Sequence, residues 1–207
     1  MAAQRTERLW RLTQAFLETG IGTTAGLQGL LGRVHAHDAE GLAHAYRVAE
    51  LAGRIGEEMA LPARLQDDLE RAALLHDIGH LVVPDPPSGP ADLSRPEARA
   101  RRTERLGILE EVTASLPFLQ PAVAIVAAAV DSANGVEDGF ATDADPVRVA
   151  GRVLHLADTL DTLSGICVQL SERPVAAAVE TGAGHTPLRR ADRQADEPAE
   201  PWLSAPL

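Results

Sequence analysis

Apolar residues recur at steps of three and four along most of the chain, the spacing of one helical face. Leu9, Leu12, Phe16 and Leu17 predict a helix over residues 5–19. The glycines and threonines of residues 20–24 interrupt it, and a short helix is expected over 25–34. Leu42, Tyr46, Ala49, Ile55 and Met59 predict a long helix over 39–60, with Asp38 placed to cap its start. Leu61-Pro62 ends it, because the residue before a proline is pushed out of the helical region. Pro62 suits the first turn of a following helix that carries Leu65, Leu69, Ala72, Leu75 and Ile78 and is expected to stop near Gly79. Five prolines and a glycine make residues 84–96 a loop, and Ser94, Pro96 and Glu97 open another helix to about residue 115. A further helix is expected from Pro117 to about Val130, then a polar loop over 131–145, then a last helix from Pro146 to about Leu170. No stretch alternates with period two. The expected fold is all-α, six or seven helices, with a disordered tail from Gly182 onward. The expected organisation is an N-terminal helix over 1–24, a domain over 25–181 and a Pro/Ala-rich tail over 182–207.

Composition sharpens this. With 45% hydrophobic residues but only 3% aromatic, the core must come from Leu, Val, Ile and Ala, which favours packed helices over sheets. All 19 basic residues are Arg, set against 30 acidic ones, for a net charge of −11. Such a chain lacks attraction for a phosphate backbone or an anionic membrane, so neither general nucleic-acid binding nor a membrane partner is expected. Cys167 is the single cysteine, which excludes an internal disulfide and a thiolate metal site and fits a reducing, cytoplasmic location. The N-terminal residues lack the apolar core of a signal peptide. The longest apolar run, Ala122 to Val130, has nine residues where a membrane helix needs about 20.

The chemistry lies in three separated pieces: His44, the adjacent His76-Asp77, and Asp158. Each sits on a largely apolar helix, where imidazoles and carboxylates must be paired or bind a metal. Two nitrogens and two carboxylates suit a divalent ion such as Mn, Fe, Zn or Mg. On spacing alone, satisfied core histidines explain the pieces more readily than a metal site does.

The segments LAHAYRVAELA, AALLHDIGHLVVPD and RVLHLADTLDTLSG together resemble the HD superfamily of metal-dependent phosphohydrolases, named for the pair seen here as His76-Asp77. The second is similar to the HD-GYP branch, which reads LHDIGK, a short apolar stretch, then Pro-Asp. The resemblance spans roughly residues 30–180. It implies an HD-like helical bundle, with His44, His76, Asp77 and Asp158 as ligands of a divalent ion. It also implies Asp77 as a catalytic group of a phosphohydrolase or phosphodiesterase acting on a nucleotide or small phosphate ester. His80, three residues after the pair, is a candidate acid/base or phosphate contact at the same cavity, or more simply a capping or surface histidine near the helix end.

The chain departs from the branch at defined places. Thr103 stands where a histidine of an HPxxG-like pattern would be, and Ala129-Val130 where the HHExxDGxGYP motif has two. The GYP is absent, and His80 replaces the lysine after HDIG. The missing histidines would hold further metal, so the expected site has one ion. Asp161, three residues after Asp158, could orient a ligand or pair with an Arg. His155 could face the site, or be a buried, hydrogen-bonded histidine. His35, His37 and Asp38 form a loop cluster that could add a ligand or lie solvated. Arg101, Arg102 and Arg105 could hold a substrate phosphate, or form a solvated face balancing nearby glutamates. Besides the enzyme, two other functions stay open: a catalytically impaired regulatory or protein-interaction module in nucleotide signalling, and a helical structural partner of a signalling protein.

Overall fold

A computed structural model describes residues 2–18, 24–86, 94–135 and 145–171. Seven α-helices occur among the described residues: α1 (Ala2–Glu18), α2 (Thr24–Val34), α3 (Ala39–Glu58), α4 (Ala63–Leu75), α5 (Arg95–Thr113), α6 (Gln120–Ala133) and α7 (Pro146–Ser171). No strand occurs among the described residues. The first of two compact units runs to Val168 and holds everything discussed below. Of the second, Gln169–Leu207, the described residues are the last of α7. The tail from Gly182 lies outside the described residues.

The helix ends follow local chemistry. The Asp38 carboxylate accepts from the Gly41 amide at 2.9 Å and caps α3. Ser94 and Glu97 form a reciprocal capping box on α5. After α3, the Leu61 amide donates to the Gly56 carbonyl (3.0 Å) and the Ala60 amide to Glu57 (2.9 Å). This pair of bonds stops a helix through one left-handed residue. That residue is Ala60, at φ 52°, where glycine is the usual choice. Pro62 then caps α4 rather than lying within its first turn.

One expectation fails at α4. The α-helix stops at Leu75, four residues before Gly79, and the chain tightens into a 3₁₀ turn over Ile78–Leu81. Gly79 does not terminate the α-helix; it lets two segments touch. A Cβ there would lie 2.5 Å from the Arg105 carbonyl oxygen, so the turn packs directly on the α5 backbone. Similarly, α6 runs to Ala133, beyond Val130, after a 3₁₀ turn at Pro117–Leu119.

The core joins Leu12 and Phe16 of α1 with Leu27, Leu30 and Leu31 of α2, Val48 of α3, Leu69 and Leu75 of α4, Leu109 of α5, Ile125 of α6 and Leu154 of α7. α4 lies against α2, α3 and α6, and α5 against α1 and α6. α7 closes on α6 at Gly151, where a Cβ would sit 2.6 Å from that of Ala128. The His76-Asp77 junction therefore emerges from the middle of the bundle. No described helix is long and apolar enough to cross a membrane.

Candidate metal centre

Three helices deliver four side chains to one corner. His44 projects from the middle of α3, His76 and Asp77 lie where α4 gives way to the 3₁₀ turn, and Asp158 comes from α7. His76 keeps helical backbone angles, and Asp77 leaves them, at φ −106° and ψ 8°, as α4 gives way to the turn. His44, His76 and Asp77 can each offer a donor atom within 4.8 Å of the others. Asp158 Oδ1 is 3.3 Å from His44 Nε2 and 3.8 Å from His76 Nε2. Donors bound to one ion at about 2.1 Å lie at most about 4.2 Å apart, so His44, His76 and Asp77 stand near that spacing, while Asp158 approaches the two imidazoles but lies outside this three-residue group.

The ring nitrogens fit that role. His76 Nδ1 is 2.7 Å from the Ala73 carbonyl, which only accepts, so Nδ1 carries the proton and Nε2 presents a lone pair. That Nε2 is buried without a hydrogen-bond partner. A buried orphan acceptor costs free energy unless something electron-poor meets it. His44 Nδ1 donates to Asp161 Oδ2 at 2.8 Å, which likewise turns its Nε2 toward Asp158. Pairing with Asp158 pushes the His44 pKa up to about 9, against burial and with help from Asp161. Burial pushes the Asp158 carboxyl up, but the His44 imidazole beside it holds it below the usual range.

Asp161 is buried and has a second partner. Arg47, one helical turn after His44, donates to it through Nε (2.7 Å to Oδ1) and a terminal nitrogen (3.0 Å to Oδ2). Arg47 above all, and then His44, keep the Asp161 carboxyl below the usual range against its burial. Sequence reading missed Arg47, although its i, i+3 spacing from His44 puts both on one face.

The corner opens into a cavity of about 400 Å³. His80, His155, Asp85, Arg102 and Arg105 line it with the four clustered side chains. Its opposite wall is apolar: Leu106, Val126, Ala129, Val130 and Ala133. Thr103, counted onto the cavity by resemblance, is exposed and absent from the wall, because the phase of α5 turns Arg102 and Leu106 inward instead. His80 lies 3.7 Å from Asp77 and 3.9 Å from Asp85. The three arginines divide. Arg101 reaches out to the Pro84 carbonyl (2.6 Å) and is not on the cavity wall. Arg102 holds Asn134 (2.8 Å), and Arg105 holds the Val83 carbonyl (2.9 Å) and Asp85 (2.7 Å). His35 is buried beside Asp38 at 3.3 Å, while His37 is exposed; neither lines the cavity.

A family model described as "HD domain" matches residues 41–163, more than half of the chain and a range containing all four side chains of the corner. Ribonuclease Y from two strains of Thermus thermophilus is 45% identical over 73 residues. That match covers 33% of this chain and 12% of either relative, so the chain spans a small part of their length. No solved structure matches at a significant level. The histidine–aspartate corner and the family match agree: the chain belongs to the HD domain family, of the metal-dependent phosphohydrolase superfamily.

Proposed function

We propose that the chain hydrolyses a small phosphate ester or nucleotide with one divalent cation, held by His44, His76, Asp77 and Asp158. The observation that carries this reading is the buried, partnerless lone pair of His76 Nε2 beside two carboxylates and a second imidazole. Such a cation, when bound, supplies charge to a phosphoryl oxygen and makes water a better nucleophile at neutral pH. The protein's own groups do the rest. The Ala73 carbonyl holds the His76 ring and Asp161 holds the His44 ring, which limits the reorganisation their donor atoms need. His80, between Asp77 and Asp85, is placed to pass a proton to the leaving oxygen. Arg102 and Arg105 hold N–H groups beyond those already engaged and face the substrate phosphate from the rim.

The apolar wall at Ala129 and Val130 supports one cation, since it offers a second no donor. It also supports a departure from the HD-GYP branch's substrate, and it favours a second reading: a regulatory module in which the ion orders the fold and catalysis has been lost. Ribonuclease Y, by its name, cuts RNA, and the shared segment supports a phosphate-ester substrate. The net charge of −11 argues for a short ester over a long polyanion.

The test is metal analysis of the purified chain together with a screen of phosphate esters. The proposal expects close to one ion per chain, and hydrolysis that requires added divalent metal, stops with chelator and is lost in Asp77→Ala. A loaded chain inert toward every ester moves the function to the regulatory module.

A further inference from the structure

We infer that Arg47 is a positioning residue of the cation site, acting through Asp161. The inference rests on the proposed role of His44 as a ligand. Two side-chain pairs face each other across α3 and α7. His44 and Arg47 are three residues apart on α3, and Asp158 and Asp161 three apart on α7. The rungs are His44–Asp158 (3.3 Å) and Arg47–Asp161 (2.7 Å), with a diagonal from His44 to Asp161 (2.8 Å). His76 and Asp77 are neighbours in sequence and need no such ladder. His44 and Asp158 come from different helices, and their meeting depends on how α3 and α7 are registered.

The chemistry of each group explains why the outer rung matters. The guanidinium fork engages both Asp161 oxygens, which fixes the carboxylate plane. One of those oxygens accepts the His44 Nδ1 proton, so the fork sets the ring's orientation and tautomer indirectly. Arg47 also offsets the Asp161 charge. Without it, a buried carboxylate one turn from Asp158 would be free to swing toward the cation and compete with the ligand it now orients. The Arg47 side chain is 45% exposed, and ion pairs that open to water add little to stability. Its effect therefore falls on the geometry of the site more than on the fold. Glu40 accepts at 2.8 Å from the same terminal nitrogen that reaches Asp161 Oδ2, and steadies the guanidinium from solvent.

Co²⁺ binding to the full chain tests this, with affinity read by chelator competition and ligand geometry by the visible spectrum. Arg47→Ala keeps all four ligands yet is expected to bind Co²⁺ about 10–100-fold more weakly, with an altered spectrum. Arg47→Lys, which keeps the charge but not the fork, should fall between, and it provides the test if the alanine variant does not fold. Because Arg47 acts through Asp161, the Arg47→Ala/Asp161→Asn double variant should bind no more weakly than Asp161→Asn alone. Wild-type affinity and spectrum in Arg47→Ala, or penalties that add in the double variant, would overturn the inference. A wild-type chain that takes no Co²⁺ would overturn the metal reading itself, a separate outcome.

Discussion

The two walls of the cavity are built from opposite materials. The α3–α4–α7 wall gathers two imidazoles and two carboxylates, and each ring is oriented by a further group: Ala73 for His76, Asp161 for His44. The α5–α6 wall presents Leu106, Val126, Ala129, Val130 and Ala133, and its arginines are tied to Asn134, Val83 and Asp85. A polar group enclosed without a partner is costly, so the donors of the first wall make sense only against a cation or one another. The second wall carries no such cost and asks for no ion. One cavity thus contains a wall suited to a cation and a wall suited to the body of a small substrate.

The largest expected effect comes from breaking the polar wall. Asp77→Ala removes an anionic donor and leaves His44, His76 and Asp158 incomplete. Metal-dependent ester hydrolysis should fall by about three orders of magnitude or more, since electrostatic stabilisation is the largest catalytic contribution. A steady-state assay with and without added metal checks it. The reverse experiment sharpens the comparison from the apolar side. Val130→His, at a half-buried position of that wall, is expected to raise bound metal above one ion per chain when measured by elemental analysis.

Next in size is the seam that supports both walls. Gly79→Ala would press a Cβ to 2.5 Å from the Arg105 carbonyl, a backbone atom that cannot rotate away. Overpacking of this kind costs about 1–3 kcal/mol, so thermal unfolding should move to lower temperature. Away from the cavity the effects are smaller and should leave metal binding unchanged. Ala60→Gly relieves a left-handed residue and should stabilise the chain by about 1 kcal/mol in a denaturant titration.

Asp38→Ala removes the α3 cap and should cost about 1 kcal/mol at neutral pH. The Gly41 amide holds the Asp38 carboxyl below its ordinary value. Its contribution is therefore present above the unfolded pKa of about 3.9 and lost as pH falls through the lower folded one. Stability curves of wild type and variant should converge below about pH 4.

The two walls were not equally legible in the sequence. Imidazoles and carboxylates stand out on apolar helices, and the three segments that carry them are recognisable as a set. What periodicity could not reveal was tertiary. The early stop of α4 was invisible because an α-helix and a 3₁₀ turn share the same apolar spacing over four residues. Gly79 read as a helix terminator, when its reason is the α5 backbone against it. The motif spacing puts Thr103 at the cavity, but the phase of α5 turns it outward. Arg47 carried a usable signal, one turn from His44, but its partner lies 114 residues away and only the fold brings them together. The sequence allows Asp161 to orient a ligand or to pair with an Arg, and in the structure it pairs with Arg47 and also accepts from His44.

The most direct measurement is an anomalous-scattering map from crystals of the full chain grown with Mn²⁺. The account predicts one strong peak, within bonding distance of His44 Nε2, His76 Nε2 and carboxylate oxygens of Asp77 and Asp158. A second peak of equal height against Ala129 and Val130, or no peak at the four-residue corner, would contradict it.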